Sequence, residues 1–96
     1  MKKFVFLYYG YAEPTQETMD AWMAWFGTVG EHLVDSGNPF GPGREVTTGT
    51  TNELTAEASP ITGYSIVNAD SMDDAEKLLA GCPIIDSVRI YEATSM

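Results

Sequence analysis

The run Phe4-Val5-Phe6-Leu7-Tyr8-Tyr9 is apolar at every position. A strand with one wet face alternates apolar with polar residues, so this run predicts a first strand buried on both sides. Gly10 ends it. Glu13-Pro14-Thr15 then reads as a helix start, with Thr15 as the cap and Glu17 placing negative charge in the first turn. Met19, Trp22, Met23 and Phe26 follow at i, i+3, i+4 and i+7, the spacing of one helix face. Ala21, Ala24, Trp25 and Val29 widen that stripe beyond half the circumference, while Gly27 and Gly30 weaken the second half of the helix.

Beyond the helix the pattern breaks up. His32-Leu33-Val34 reads as a short strand and Arg44-Glu45-Val46-Thr47-Thr48 as another. Between them lies Gly37-Asn38-Pro39-Phe40-Gly41-Pro42-Gly43, which cannot be helix or an ordinary strand. Its lone aromatic, Phe40, either pins a tight turn or forms the wall of a pocket. Residues 49–60 are polar and read as a loop or mobile flap. Ile61 to Ala69 is a strong strand. Asp70 or Ser71 caps a second helix whose stripe is Met72, Ala75, Leu78 and Leu79; Gly81 suits its C′ position and Pro83 stops it. Ser87 to Glu92 alternates and reads as the last strand.

The order is β-α-β-β-α-β over residues 1–96, one α+β domain. It predicts the ferredoxin-like split βαβ arrangement, an antiparallel sheet with both helices on one face. Such a two-layer unit leaves one face of the first strand bare. A second copy packed sheet to sheet removes that exposure, so the expected state is a homodimer. The polar loop 49–60 is a poor cover for the same face.

The stretch Gly63 to Ala93, "GYSIVNADSMDDAEKLLAGCPIIDSVRIYEA", resembles the C-terminal half of the YCII-related (DGPF-domain-like) family. "FVFLYYG" at the front and "LVDSGNPFGPG" in the middle resemble its short members. The resemblance implies a dimeric α/β barrel of two ferredoxin-like subunits. It places an active site in the cleft between helix, sheet and middle loop. Two features of the family pattern are missing. The Asp-Pro of its acid–base pair reads Cys82-Pro83, and the position of its histidine falls near Met19, so that pair is not carried over. The tetrapeptide Asp-Gly-Pro-Phe is also absent, though Asn38-Pro39-Phe40 echoes it elsewhere in the chain.

Charge narrows the partners. Fourteen Asp and Glu against five Lys and Arg give a net charge of −9. Nucleic acid and anionic membrane both need clustered cations, so neither is expected as a partner. No apolar run approaches a membrane span, and Met1-Lys2-Lys3 with the short run after it reads as a strand rather than a leader. The single cysteine, Cys82, allows no internal disulfide and fits a reducing cytoplasm.

Few residues point to chemistry. His32 is the one histidine and the first candidate for a general base, with Glu31 and Asp35 its nearest carboxylates in sequence. The competing role is a polar residue at a helix end. No second strong ligand has metal spacing; Asp70, Asp73 and Asp74 read as a solvated helix cap. Cys82 follows a helix C-terminus, where the dipole disfavours a thiolate. No serine triad or phosphate loop is legible. Trp22, Trp25 and Phe26 are core at helical spacing, but two tryptophans three apart are hard to bury together in so small a domain. One of them is expected to face a cleft beside Phe40, with Arg44 as an anion-binding candidate or a surface ion pair. Tyr64 completes the expected ligand set.

Two functions follow. The first is a small homodimer that binds an apolar or aromatic small molecule, with no cofactor. The second is a cofactor-free enzyme, similar to isomerases, dehalogenases or monooxygenases of the dimeric-barrel type, with His32 or Tyr64 moving a proton.

Overall fold

A computed structural model describes residues 1–54 and 60–95. Its elements are β1 (Lys2–Tyr9), α1 (Gln16–Thr28), a 3₁₀ turn (Gly30–His32), β2 (Leu33–Asp35), β3 (Gly43–Val46), β4 (Thr51–Leu54), β5 (Ile61–Ala69), α2 (Met72–Lys77) and β6 (Ser87–Ala93). Four strands form one antiparallel sheet in the order β2-β5-β1-β6. The chain is therefore α+β, and this sheet with a helix after its first and third strands in sequence is compatible with a ferredoxin-like unit.

Period-two alternation assigns the two faces of β1. Phe4, Phe6 and Tyr8 are buried; Val5, Leu7 and Tyr9 are half-buried. Register carries the assignment across the sheet. Phe4, Phe6 and Tyr8 stand opposite Val67, Ser65 and Gly63 on β5, and opposite Glu92, Ile90 and Val88 on β6. The other face pairs Val5 with Ile66 and Tyr91, and Leu7 with Tyr64 and Arg89. Both helices cover the first of these faces. Trp25 lies 6.4 Å from the ring centroids of both Phe6 and Tyr8, and its indole N–H donates to the Leu78 carbonyl at 2.8 Å just past α2. Buried Ala75 brings α2 into the same core.

The helix phase differs from the sequence expectation. Trp22, Trp25, Phe26 and Val29 face the core, while Met19 and Met23 are 55% and 72% exposed. Both stripes have helical spacing. The broad aromatic rings win the inner face because they bury more area against Phe6 and Tyr8. The caps are as read: the Thr15 hydroxyl accepts from the Thr18 N–H, and Ser71 from the Asp74 N–H. The second helix ends sooner than expected, with Leu78 as its C-cap, so Gly81, at a φ of 83°, lies three residues past the cap rather than at C′.

The segment around Arg44 does not join the main sheet. It pairs with Thr51–Leu54, inside the expected polar loop, to make a separate hairpin. Thr47 and Thr50 close its turn, with the Thr50 N–H donating to the Thr47 hydroxyl. The strand place beside β5 goes instead to Leu33–Asp35. Residues 55–59 of the expected loop lie outside the described residues.

The Gly/Pro stretch runs along the edge of β5 past the end of β2. Pro39 bridges to Gly63, and the Phe40 N–H donates to the Thr62 carbonyl at 2.8 Å. Gly37 makes this approach possible. Its φ is +81°, and a Cβ there would stand 1.6 Å from the Tyr64 carbonyl oxygen. Gly37→Ala is expected to lower stability by about 2–4 kcal/mol in urea unfolding, because both the backbone and the strand contact resist it. Gly41 has negative φ and open space around its Cβ position, so Gly41→Ala is expected to be neutral or stabilising by about 0.5 kcal/mol. Equal effects of the two changes would refute this account of the edge.

Candidate functional site

The six residues expected to bind a ligand do not line one cleft. Trp22, Trp25 and Phe26 belong to the helix side of the sheet. Trp25 is 2% exposed, and Trp22 packs edge-on against Tyr8 at 5.0 Å and tilted against Phe26 at 5.8 Å. Tyr64 pairs with Leu7 and so projects from the opposite face. Phe40 stacks on it, with ring centroids 5.6 Å apart and planes 20° from parallel. The four-residue reach from Gly37 to Phe40 along the β5 edge carries that ring onto the open side. No tryptophan stands beside it.

Arg44 takes the surface role. On the hairpin its Nε donates to Glu53 Oε1 at 2.9 Å, directly across the strand pair, and both side chains are exposed. An exposed pair of this kind contributes little stability. His32 sits half-buried in the 3₁₀ turn, and no carboxylate among the described residues lies within ion-pair distance of its ring. A general base needs a partner that fixes its orientation and tautomer. His32 has none here.

The open side of β5 does gather polar and aromatic groups. The Tyr64 hydroxyl donates to Asp35 Oδ2 at 3.2 Å, and Asp35 Oδ1 accepts from the Gly37 N–H at 2.9 Å. Asp35 thus clamps the turn into the Gly/Pro stretch and anchors the far end of the Tyr64 ring. Stacking against Phe40 holds the ring's face. The result is a two-ring aromatic platform with a carboxylate at one end. Sequence reading named Phe40 and Tyr64 separately but not Asp35 in this role. Its sequence signal was the Asp35-Ser36-Gly37 spacing of an Asx turn.

A second polar group lies inside the core. The Tyr8 hydroxyl donates to Ser65 Oγ at 2.9 Å, and Ser65 donates on to the Ser36 carbonyl at 2.7 Å. Ser65 is fully buried yet satisfied at both ends. Burial holds the Tyr8 phenol well above the usual tyrosine range, with the Ser65 hydrogen bond opposing and nearby Cys82 adding to the rise. Burial also pushes the Cys82 thiol up to about 12. A thiol so held is inert at neutral pH. The expected direction is the same as the helix dipole gives, but burial is the cause.

Among the described residues no three metal-ligating side chains cluster, and no helix is long and apolar enough to cross a membrane. A shallow, open depression of about 480 Å³ lies at one end of the sheet, lined by Met1, Lys2, Lys3, Asn68 and Glu92 among others. It is remote from the aromatic platform.

No protein-family model matches the chain, and no curated protein matches it.

The two buried groups set an alkaline limit. Both bind their protons more tightly in the folded chain than in the unfolded one. Their contribution is complete below the ordinary thiol value of 9.0 and is lost as pH rises through the folded values. Urea midpoints are therefore expected to hold level from neutral pH to about pH 8.5 and to fall above about pH 9. Cys82→Ala is expected to move the onset upward, toward the tyrosine range. An unchanged onset in that variant would remove Cys82 from the account.

Proposed function

We propose that the chain is one subunit of a homodimer of ferredoxin-like units, a dimeric α/β barrel of YCII-related type, that holds a small apolar or aromatic ligand at the Phe40–Tyr64 platform. One observation carries the reading: the sheet face opposite the helices is apolar, and among the described residues no helix covers it. Val5, Leu7, Tyr64 and Ile66 form its centre, and Tyr91 on its flank is 52% exposed. Patches of this kind mark interaction surfaces.

Size and charge support it. The molecule is a slab of 41 × 40 × 18 Å, two layers thick. It exposes 6794 Å², against about 5,400 Å² for a compact monomer of its mass. The excess of about 1,400 Å² exceeds the roughly 800 Å² that each partner contributes to a standard interface. Of the carboxylates in this acidic chain, Asp35 is the only one among the strand residues of the open face. Depletion of charge is the mark of an interface centre.

A platform of two stacked rings at the rim of an apolar face suits a flat aromatic ligand, which would extend the stack in a partly dry setting. The enzyme reading has no comparable support, since neither His32 nor Tyr64 is part of an oriented proton-transfer pair aimed into an enclosed site.

Sedimentation velocity is expected to give a dimer at micromolar concentration. Leu7→Glu, which sets a charge at the centre of the face, is expected to weaken dimerisation on the order of a hundredfold or more. Among indole, benzoate and anthraquinone, at least one is expected to raise the thermal midpoint of the wild type by a few degrees, and Phe40→Ala to abolish that rise. A wild type that stays monomeric at high concentration would sink the dimer. A rise preserved in Phe40→Ala would move the ligand elsewhere.

A further inference from the structure

Charges on the open face are few and unevenly placed. Asp35 lies at the β2 edge, held beside Tyr64. Arg89 lies at the β6 edge, opposite Leu7, with its guanidinium 4.6 Å from the centre of the Tyr9 ring. Three strand spacings of about 4.8 Å separate those edges, so the two cannot meet within one chain. Neither has an ion-pair partner among the described residues. They stand one row apart along the sheet: Asp35 lies opposite Ile66 in the Val5–Tyr91 row, next to the Leu7–Tyr64 row that holds Arg89, and its carboxylate reaches the Tyr64 hydroxyl.

We propose that in the homodimer Arg89 of each subunit pairs with Asp35 of the partner subunit, and that these two symmetric ion pairs fix the two-fold axis along the strands. The proposal rests on the dimer reading above. A face-to-face dimer must be self-complementary, so its axis decides which edge meets which. An axis across the strands sets β2 over β2 and β6 over β6. It then brings Asp35 to Asp35 and Arg89 to Arg89, which like-charge repulsion opposes. An axis along the strands sets the β2 edge over the partner's β6 edge at both sides. It pairs each carboxylate with a guanidinium, and the Tyr9 ring already holds that guanidinium over the face.

The test is a charge swap followed by sedimentation equilibrium. Asp35→Arg and Arg89→Asp are each expected to raise the dimer dissociation constant at least about tenfold, since each change creates two like-charge contacts. The double swap is expected to return it to within about threefold of wild type. Additive losses in the double swap, or single variants that dimerise like wild type, would overturn the pairing while leaving the dimer standing. A wild type that never dimerises would instead overturn the reading beneath it. Asp35→Asn guards against local misfolding: it keeps an acceptor for the Gly37 N–H, and circular dichroism reports the fold. Its dimer is expected to weaken and to lose the salt dependence of the wild type. An unchanged salt dependence would also overturn the pairing.

Discussion

The central strand carries apolar side chains on both of its faces, and among the described residues the helices cover only one of them. On the helix side, Phe4 and Phe6 are completely buried and Tyr8 nearly so. Each such ring contributes on the order of 2–3 kcal/mol by leaving water. That is the main drive that seats α1 and α2. On the other side Val5, Leu7 and Tyr9 have only their neighbours in the sheet. The same strand that builds the monomer therefore leaves it with unburied apolar surface. One further layer of secondary structure would lengthen the chain. A second copy does not.

Polar groups inside the core do the positioning that apolar contact cannot. Burial of the Tyr8 phenol is tolerable because Ser65 accepts its hydrogen bond and donates one in turn to the Ser36 carbonyl. That chain of bonds ties the segment after β2 to the edge of β5. Gly37 then lets the backbone close against Tyr64, and Phe40 is delivered to the open face. On the helix layer the bond from the Trp25 indole to the Leu78 carbonyl plays the matching part. It satisfies a carbonyl at the end of α2 and fixes one helix against the other. The buried aromatic and the buried polar atom are thus two ends of the same side chain in both cases.

Elements with strong local signals were legible in the sequence. The first strand, the strand from Ile61 to Ala69 and the Thr15 and Ser71 caps all follow from short-range chemistry. What failed depends on which surface a side chain meets. Met19 and Trp22 share helical spacing, so the pattern alone cannot set the phase; ring area against Phe6 and Tyr8 does. Thr51–Leu54 falls in the polar stretch 49–60 that reads as loop, yet its cross-strand pairing with Gly43–Val46 rests on backbone bonds rather than on an apolar face. The assembly of the expected ligand set failed for a third reason. Strand alternation puts Tyr64 on one face by parity, but only the register with Leu7 says that it faces away from α1. Phe40 follows Tyr64, and the tryptophans stay behind. Asp35 was visible as a neighbour of His32 in sequence, whereas its hydrogen bonds run to Gly37 and Tyr64.

Net charge constrains how such a molecule can associate. At −9 two copies repel, and exposed charges act over about 8 Å at physiological ionic strength. Contact is then favourable only where carboxylates are scarce. Helix α1 and the second helix carry Glu17, Asp20, Asp73, Asp74 and Glu76 outward, beside the exposed Met19, Met23 and Met72. The hairpin adds Glu45 and Glu53 against a single Arg44. The open face is the exception, with Arg89 and Lys3 among its residues and Asp35 at its edge. On that face an apolar centre coincides with a scarcity of carboxylates. In the proposed homodimer the acidic surface would disfavour other approaches of two copies and leave the side of β1 opposite the helices as the contact.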